Sequence, residues 1–231
     1  MSQYGHIVTR YCYIVDSVVT RFLAPRHRAP AEPSSTERIR DAALKCFAAQ
    51  GIAATSLRTV AEAAGTSVGL VQHYYGTKAA LIAAVDDHVL QVIGDAVESG
   101  PLPAGPADPL TEMGRRVTTL FAENSDVVGY LGHALVEGDS IGSQIFDGLM
   151  GISIAQGEQL TERGHARPDL DPVWSAINPL VLRLGAIILR KHIERHIPEP
   201  LTTLPQLQRW DAAVTALIRE GQLLPQPTVG E

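Results

Sequence analysis

The sequence predicts an all-α protein built in two unequal parts, and three observations carry that expectation. Apolar residues recur at helical spacing from residue 35 onward, and no stretch alternates as a half-buried strand does. Residues 55–78 hold two short helices broken by glycine, followed by one longer helix. A segment rich in Gly and Pro, Gly100 to Pro106, then separates this unit from a longer helical remainder. With 231 residues, 45% of them hydrophobic, the chain has enough apolar surface for one large domain or two unequal ones.

Residues 1–33 read as an N-terminal extension. Val8 to Leu23 fits a helix, and Pro25, Pro30 and Pro33 cut it off from the rest of the chain. A disordered tail and a basic arm touching phosphate are both compatible with this stretch. The first helix proper is expected from about Ser35 to Gln50, opened by a Ser34-x-x-Glu37 capping box. Its apolar stripe is Ile39, Ala42, Ala43, Cys46 and Phe47. Ser56 caps the next helix, whose buried face is Leu57, Val60, Ala61 and Ala64, and Gly65 ends it by supplying a left-handed conformation. Ser67 caps a second short helix with Val71, Tyr74 and Tyr75 inward, and Gly76 stops it. Thr77 caps a long helix from Lys78 to about Glu98, with Leu81, Val85, Val89, Val92 and Ala96 on its inner face. That helix is long enough to leave the first unit and enter the second. Further helices are expected near 109–123, 126–137, 140–163, 172–196 and 203–220, with breaks at residues 138–140 and 167–172.

Charge is divided unevenly. The net charge is -6, yet residues 1–33 carry four arginines against Asp16 and Glu32, and residues 34–91 balance five bases with five acids. Residues 92–231 hold ten bases against eighteen acids, so the acidity belongs to the C-terminal part. Two cysteines, Cys12 and Cys46, lie far apart and form no metal or redox motif, which fits a reducing cytoplasm. The most apolar run, Ile177 to Leu189, is interrupted by Arg183 and falls short of the ~18–20 residues that span a bilayer. Arg10 and Asp16 interrupt any signal-peptide pattern. A cytoplasmic protein with no membrane partner is expected.

Two short helices around a glycine turn make a helix-turn-helix, whose second member lies in the DNA major groove. Spacing alone fits equally well a helical pair that never meets DNA. On the DNA reading, Thr66, Ser67, Val68, Gly69 and Leu70 stand at the first turn near base edges. Gly69 permits close backbone approach, Val68 and Leu70 suit thymine methyl groups, and Gln72 suits adenine or a phosphate. Lys78 at a helix N-terminus reads as a phosphate anchor, and Arg58 is expected to be exposed for a base or phosphate.

The run STERIRDAALKCFAAQG (Ser35 to Gly51) resembles the first helix of the TetR (tetracycline repressor-like) family. LRTVAEAAG (Leu57 to Gly65) resembles its second helix, and SVGLVQHYYGTKAAL (Ser67 to Leu81) its recognition helix and the start of its fourth. The remainder matches in layout only. The resemblance implies an N-terminal three-helix DNA-binding domain (34–85) and a C-terminal helical ligand-binding and dimerisation domain (86–231). It implies a sequence-specific transcriptional regulator, a repressor released from a palindromic operator by a small-molecule effector, and a homodimer formed through the last two helices. An activator or a ligand-independent regulator of the same layout stays open. The resemblance also implies DNA-backbone contacts at His73, Tyr74 and Lys78, which fall where the family commonly makes them. Gln72 departs from the family, which usually has a tyrosine there, so the base or phosphate read at that position is not inherited.

In the C-terminal part, Phe121, Tyr130, His133, Phe146, Met150, Trp174 and Arg183 are candidates to line a ligand pocket. Arg183 needs an anionic ligand, an acidic partner across a dimer or an exit to water. Other motifs weigh less. Gly138-Asp139-Ser140-Ile141 matches a hydrolase nucleophile pattern, but it stands between helices and lacks an Asp-x-x-His partner, so a turn is expected. His192 and His196, spaced i, i+4, are expected as basic residues at a helix end rather than metal ligands, and Asp86-Asp87-His88 as a solvated surface. No catalytic residue, metal or cofactor is expected. A helical enzyme and a pure interaction module are the rival classes.

Overall fold

The computed structural model describes residues 33–97, 109–138 and 140–225. Most of the expected N-terminal extension with Cys12, the Gly100–Pro106 linker and Asp139 lie outside the described residues. Helix α1 (Ser35–Gln50) starts with the anticipated capping box: Ser34 Oγ accepts from the Glu37 amide, and Glu37 accepts from the Ser34 amide at 2.7 Å. Helices α2 (Leu57–Ala63) and α3 (Val68–Tyr75) come next, capped by the side chains of Ser56 and Ser67. Gly65 joins them at φ 64°, a conformation that an L side chain rarely adopts. Helix α4 (Lys78–Val97) begins where Thr77 Oγ1 accepts the Ala80 amide.

Ile39, Phe47, Val60, Val71, Leu81 and Val85 are essentially inaccessible and make the core of the first four helices. The inner stripe of α4 runs Leu81, Val85, Val89, Ile93. Val92 and Ala96, expected on that stripe, are only partly buried, because the register continues in steps of four past Val89. Cys46 is likewise partly buried, and burial raises its thiol pKa.

The rest is helical too: α5 (Pro109–Glu123), α6 (Ser125–Glu137), α7 (Ser140–Glu162), α8 (Pro172–Ile188), α9 (Arg190–Ile193) and α10 (Leu204–Gln222). The expected helix over 172–196 ends early, since the chain leaves helical geometry at Leu189 and resumes for a single turn. His192 therefore sits in α9 and His196 beyond it, so the pair does not share one helix. An isolated antiparallel bridge, Ala166 to Leu223, ties the turn after α7 to the end of α10. None of the described helices is long and apolar enough to cross a membrane.

The two parts meet closely. α1 packs along α6, where Gly129 faces Ala48: a Cβ on Gly129 would stand 3.1 Å from Ala48 Cβ. Phe47 and Tyr130 put their ring centroids 6.2 Å apart across this seam, and the Tyr130 hydroxyl donates to Asp86 of α4 at 2.5 Å. α4 itself is unbroken through residues 85 and 86 and serves both parts.

Candidate nucleic-acid interface and ligand cavity

α3 is held from behind by two residues. Val71 is fully buried, and the Tyr75 hydroxyl donates to the Thr36 carbonyl at 2.7 Å, fastening the end of α3 to the start of α1. Tyr75 is thus a core residue, while Tyr74 is 43% exposed, packed edge-on against His73 with centroids 5.4 Å apart. Gly69, Leu70, Gln72, His73 and Tyr74 all face outward. Ser67 is exposed, and its Oγ accepts the Leu70 amide. Thr66 and Val68 are half-buried, and Val68 packs in part against the core.

The two basic candidates differ. Arg58 is well exposed and pairs with Glu62 one turn on at 3.1 Å, a solvent-screened contact that a phosphate can displace. Lys78 is half-buried, and its Nζ donates to the Ile52 carbonyl at 2.6 Å. One of its three donors thus closes the loop between α1 and α2, a structural duty beyond the expected phosphate anchor.

A cavity opens inside the C-terminal helices, with about 810 Å³ of empty space, part of it open to solvent. α5 supplies Leu110, Met113, Val117, Leu120 and Phe121; α7 supplies Leu149, Ile152, Ser153 and Gln156; α8 supplies Pro179, Leu180, Arg183, Leu184 and Ile187. Ile93 of α4, Leu131 of α6 and Ile218 of α10 complete it. Of the seven sequence candidates, Phe121 and Arg183 line this space. Tyr130 is engaged in the seam with α4, and His133 faces Gly51 on the DNA-binding side. Phe146 and Met150 are packed into the interior away from the cavity, and Trp174 is largely exposed. Aromatic and sulfur side chains pack wherever area is needed, so their residue type does not mark this space. The signal that would have found the lining is the i, i+3/i+4 face of α5 and the two polar residues, Ser153 and Gln156, on an otherwise apolar face of α7.

Arg183 is buried and finds its partner within the chain: Nη1 donates to Asp211 Oδ1 of α10 at 2.9 Å. None of the three expected destinations is needed. Asp86-Asp87-His88 also differs from a solvated surface, since Asp86 accepts from Tyr130 and His88 is half-buried. Ser140 is exposed at the first residue of α7, and among the described residues no cluster of three or more His, Cys, Asp or Glu is arranged to hold a metal.

A compact three-helix unit that presents α3 outward is the geometry of a DNA reader, and the family model for bacterial regulatory proteins of the tetR family matches residues 39–85. Over that segment the chain is similar to the tetR family. Among curated proteins it is 26% identical over 142 residues to the HTH-type transcriptional regulatory protein RaaS of Mycobacterium tuberculosis (strain ATCC 25618 / H37Rv). That alignment takes in 62% of this chain and 64% of RaaS, so the chain spans just under two thirds of that relative's length. Solved structures share the fold over most of the chain. The putative transcriptional regulator SCO4942 of Streptomyces coelicolor is 21% identical, with 84% of this chain and 100% of that one covered and a TM-score of 0.59. SmeT, the repressor of the Stenotrophomonas maltophilia multidrug efflux pump SmeDEF, is 18% identical, with 91% and 98% covered and a TM-score of 0.60. SmeT is also known in a complex with triclosan.

Proposed function

We propose that this protein is a homodimeric transcriptional repressor of the tetR type. Its paired α3 helices read the halves of a palindromic operator, and a small molecule in the C-terminal cavity lowers operator affinity. The observation that carries the reading is α3 itself, pinned by Val71 and Tyr75 while Gly69, Leu70, Gln72, His73 and Tyr74 face outward. Gln72 is the base reader in this account, and Arg58 and Lys78 bind the flanking phosphates. Dimerisation is supported by the outer faces of α8 and α10 and the break after α8, where Trp174, Val181, Ile188, Leu217 and Leu189 are exposed large apolar groups. Release needs little energy: a ligand that favours the released state 100-fold supplies about 2.7 kcal/mol. SmeT offers a parallel, a repressor of the same fold known with a small molecule bound. A cytoplasmic site of action goes with this reading.

Selection of duplexes from a random pool, then fluorescence anisotropy at ~0.15 M salt, tests it. The expected result is a palindromic motif bound roughly 10³-fold or more tightly than a scrambled duplex. Gln72→Ala should lose about 1–3 kcal/mol on that motif and relax preference at one position of each half-site. A pool that yields no motif, with equal binding to every duplex, rejects the proposal.

A further inference from the structure

Resting on the reading of the cavity as an effector site, we infer that it takes a neutral, largely apolar molecule with one hydrogen-bonding end, and that it rejects the carboxylate or ammonium of the same skeleton. Among the described residues Arg183 is the one charged side chain on the cavity wall, and its charge is already matched. Asp211 meets it at 2.9 Å, and the two side chains are only 10% and 17% exposed, so water screens the pair poorly. Asp211 also lies within reach of the Thr215 hydroxyl at 3.4 Å. An entering carboxylate would set two anions against one guanidinium in a site with little water, and one of them would have to take up a proton or leave. An entering ammonium would stand beside Arg183 with the nearest carboxylate already engaged. Either ion loses its hydration without a free counter-charge, whereas a neutral group loses little.

The polar anchor is on α7. Ser153 donates its hydroxyl proton to the Ala176 carbonyl at 2.7 Å, so its donor is used. Gln156 lies three residues on, along the same helix face, lines the cavity and has no side-chain hydrogen-bond partner among the described residues. Its amide offers both donors and an acceptor, which suits a hydroxyl, ketone or amide. The remaining wall is aliphatic or aromatic, with Val117, Phe121 and Leu149 among its members.

Displacement of the neutral fluorophore N-phenyl-1-naphthylamine from the full-length protein tests this, with 1-decanol, decanoate and decylammonium as competitors at pH 7.5. The dye should brighten with the wild type and not with Leu149→Trp, which fills the cavity. 1-Decanol should displace it at roughly tenfold lower concentration than either ion. Gln156→Leu should weaken 1-decanol about fivefold, one hydrogen bond's worth, and leave the dye unchanged. Asp211→Asn frees the Arg183 charge and should strengthen decanoate by roughly tenfold. The double variant Arg183→Gln/Asp211→Asn removes both charges and should retain the preference for 1-decanol, so the test does not hang on one variant's folding. Decanoate or decylammonium displacing the wild-type dye as well as 1-decanol overturns the charge selectivity and leaves the effector site standing. A dye that never brightens, or brightens equally in Leu149→Trp, overturns the effector site as well.

Discussion

His88 sits half-buried on α4 against α1, facing Arg40, Asp41 and Glu37. Burial lowers its pKa below the usual histidine value, the Arg40 charge adds to that, and Asp41 and Glu37 oppose it. In the unfolded chain the same imidazole protonates near pH 6.5. Above that pH the group is neutral in both states and contributes nothing. As pH falls through 6.5 the unfolded state takes up the proton first, so the folded state loses stability until the lower folded pKa is reached. His88→Asn should remove this loss. Urea unfolding of both proteins at pH 7.5 and 5.5 is expected to show the smaller acid penalty in the variant. The difference should stay under about 1 kcal/mol because solvent screens a half-exposed site. Identical pH slopes would assign the acid sensitivity to other groups. The sequence could not show such environments. Arg183 meets Asp211 across 28 residues, and Lys78 meets the Ile52 carbonyl across 26, so the polar partner of a side chain is decided by which helices the fold sets side by side.

At the scale of the element, local chemistry was legible and long-range compensation was not. Ser34, Ser56, Ser67, Gly65 and Gly138 mark helix ends through caps and turns that involve only near neighbours, and those ends fall where the residues indicate. α8 departs from this. Pro179 stands inside it, where the missing N–H leaves the Ser175 carbonyl without its helical donor. The amide of Gln222, from the end of α10, donates to that carbonyl at 3.1 Å, and the Ser153 hydroxyl takes the next one, Ala176. A double-mutant cycle isolates the compensation. Gln222→Ala should cost about 1 kcal/mol in the wild type, because it strands a part-buried carbonyl. In a Pro179→Ala background the restored N–H serves Ser175, and the same substitution should cost close to nothing. Equal costs in the two backgrounds would mean that Gln222 acts through packing alone. The break at Leu189 has no glycine or proline to mark it: the apolar run from Ile177 gives way there to the charged stretch that starts at Arg190, and the chain turns to bring α10 back onto α5.

For the whole molecule, the question is how an occupied cavity reaches α3. Leu131 lines the cavity, and its neighbour Tyr130 faces the other way, into the seam with α1 and α4. There the phenol bonds Asp86 and the ring packs on Phe47, while Gly129 lies against Ala48 with no room for a methyl between them unless the helices shift by a few tenths of an ångström. On the proposed reading, a ligand that displaced α6 would act on α1 and α4 together, and α1 is fastened to α3 through the Tyr75 hydroxyl on Thr36. This route runs through α6 as well as α4, the helix shared by both parts. Tyr130→Phe keeps the ring and removes the hydroxyl, so it tests the polar link without opening a cavity. Operator affinity without ligand should change less than about threefold, since the recognition surface is untouched. The ratio of operator affinities without and with saturating 1-decanol should shrink by about fivefold, one hydrogen bond's share of the coupling. Should that ratio match the wild type's while the dye still binds, the signal runs through α4 packing alone, along Leu81, Val85, Val89 and Ile93, with Ile93 as its contact with the cavity.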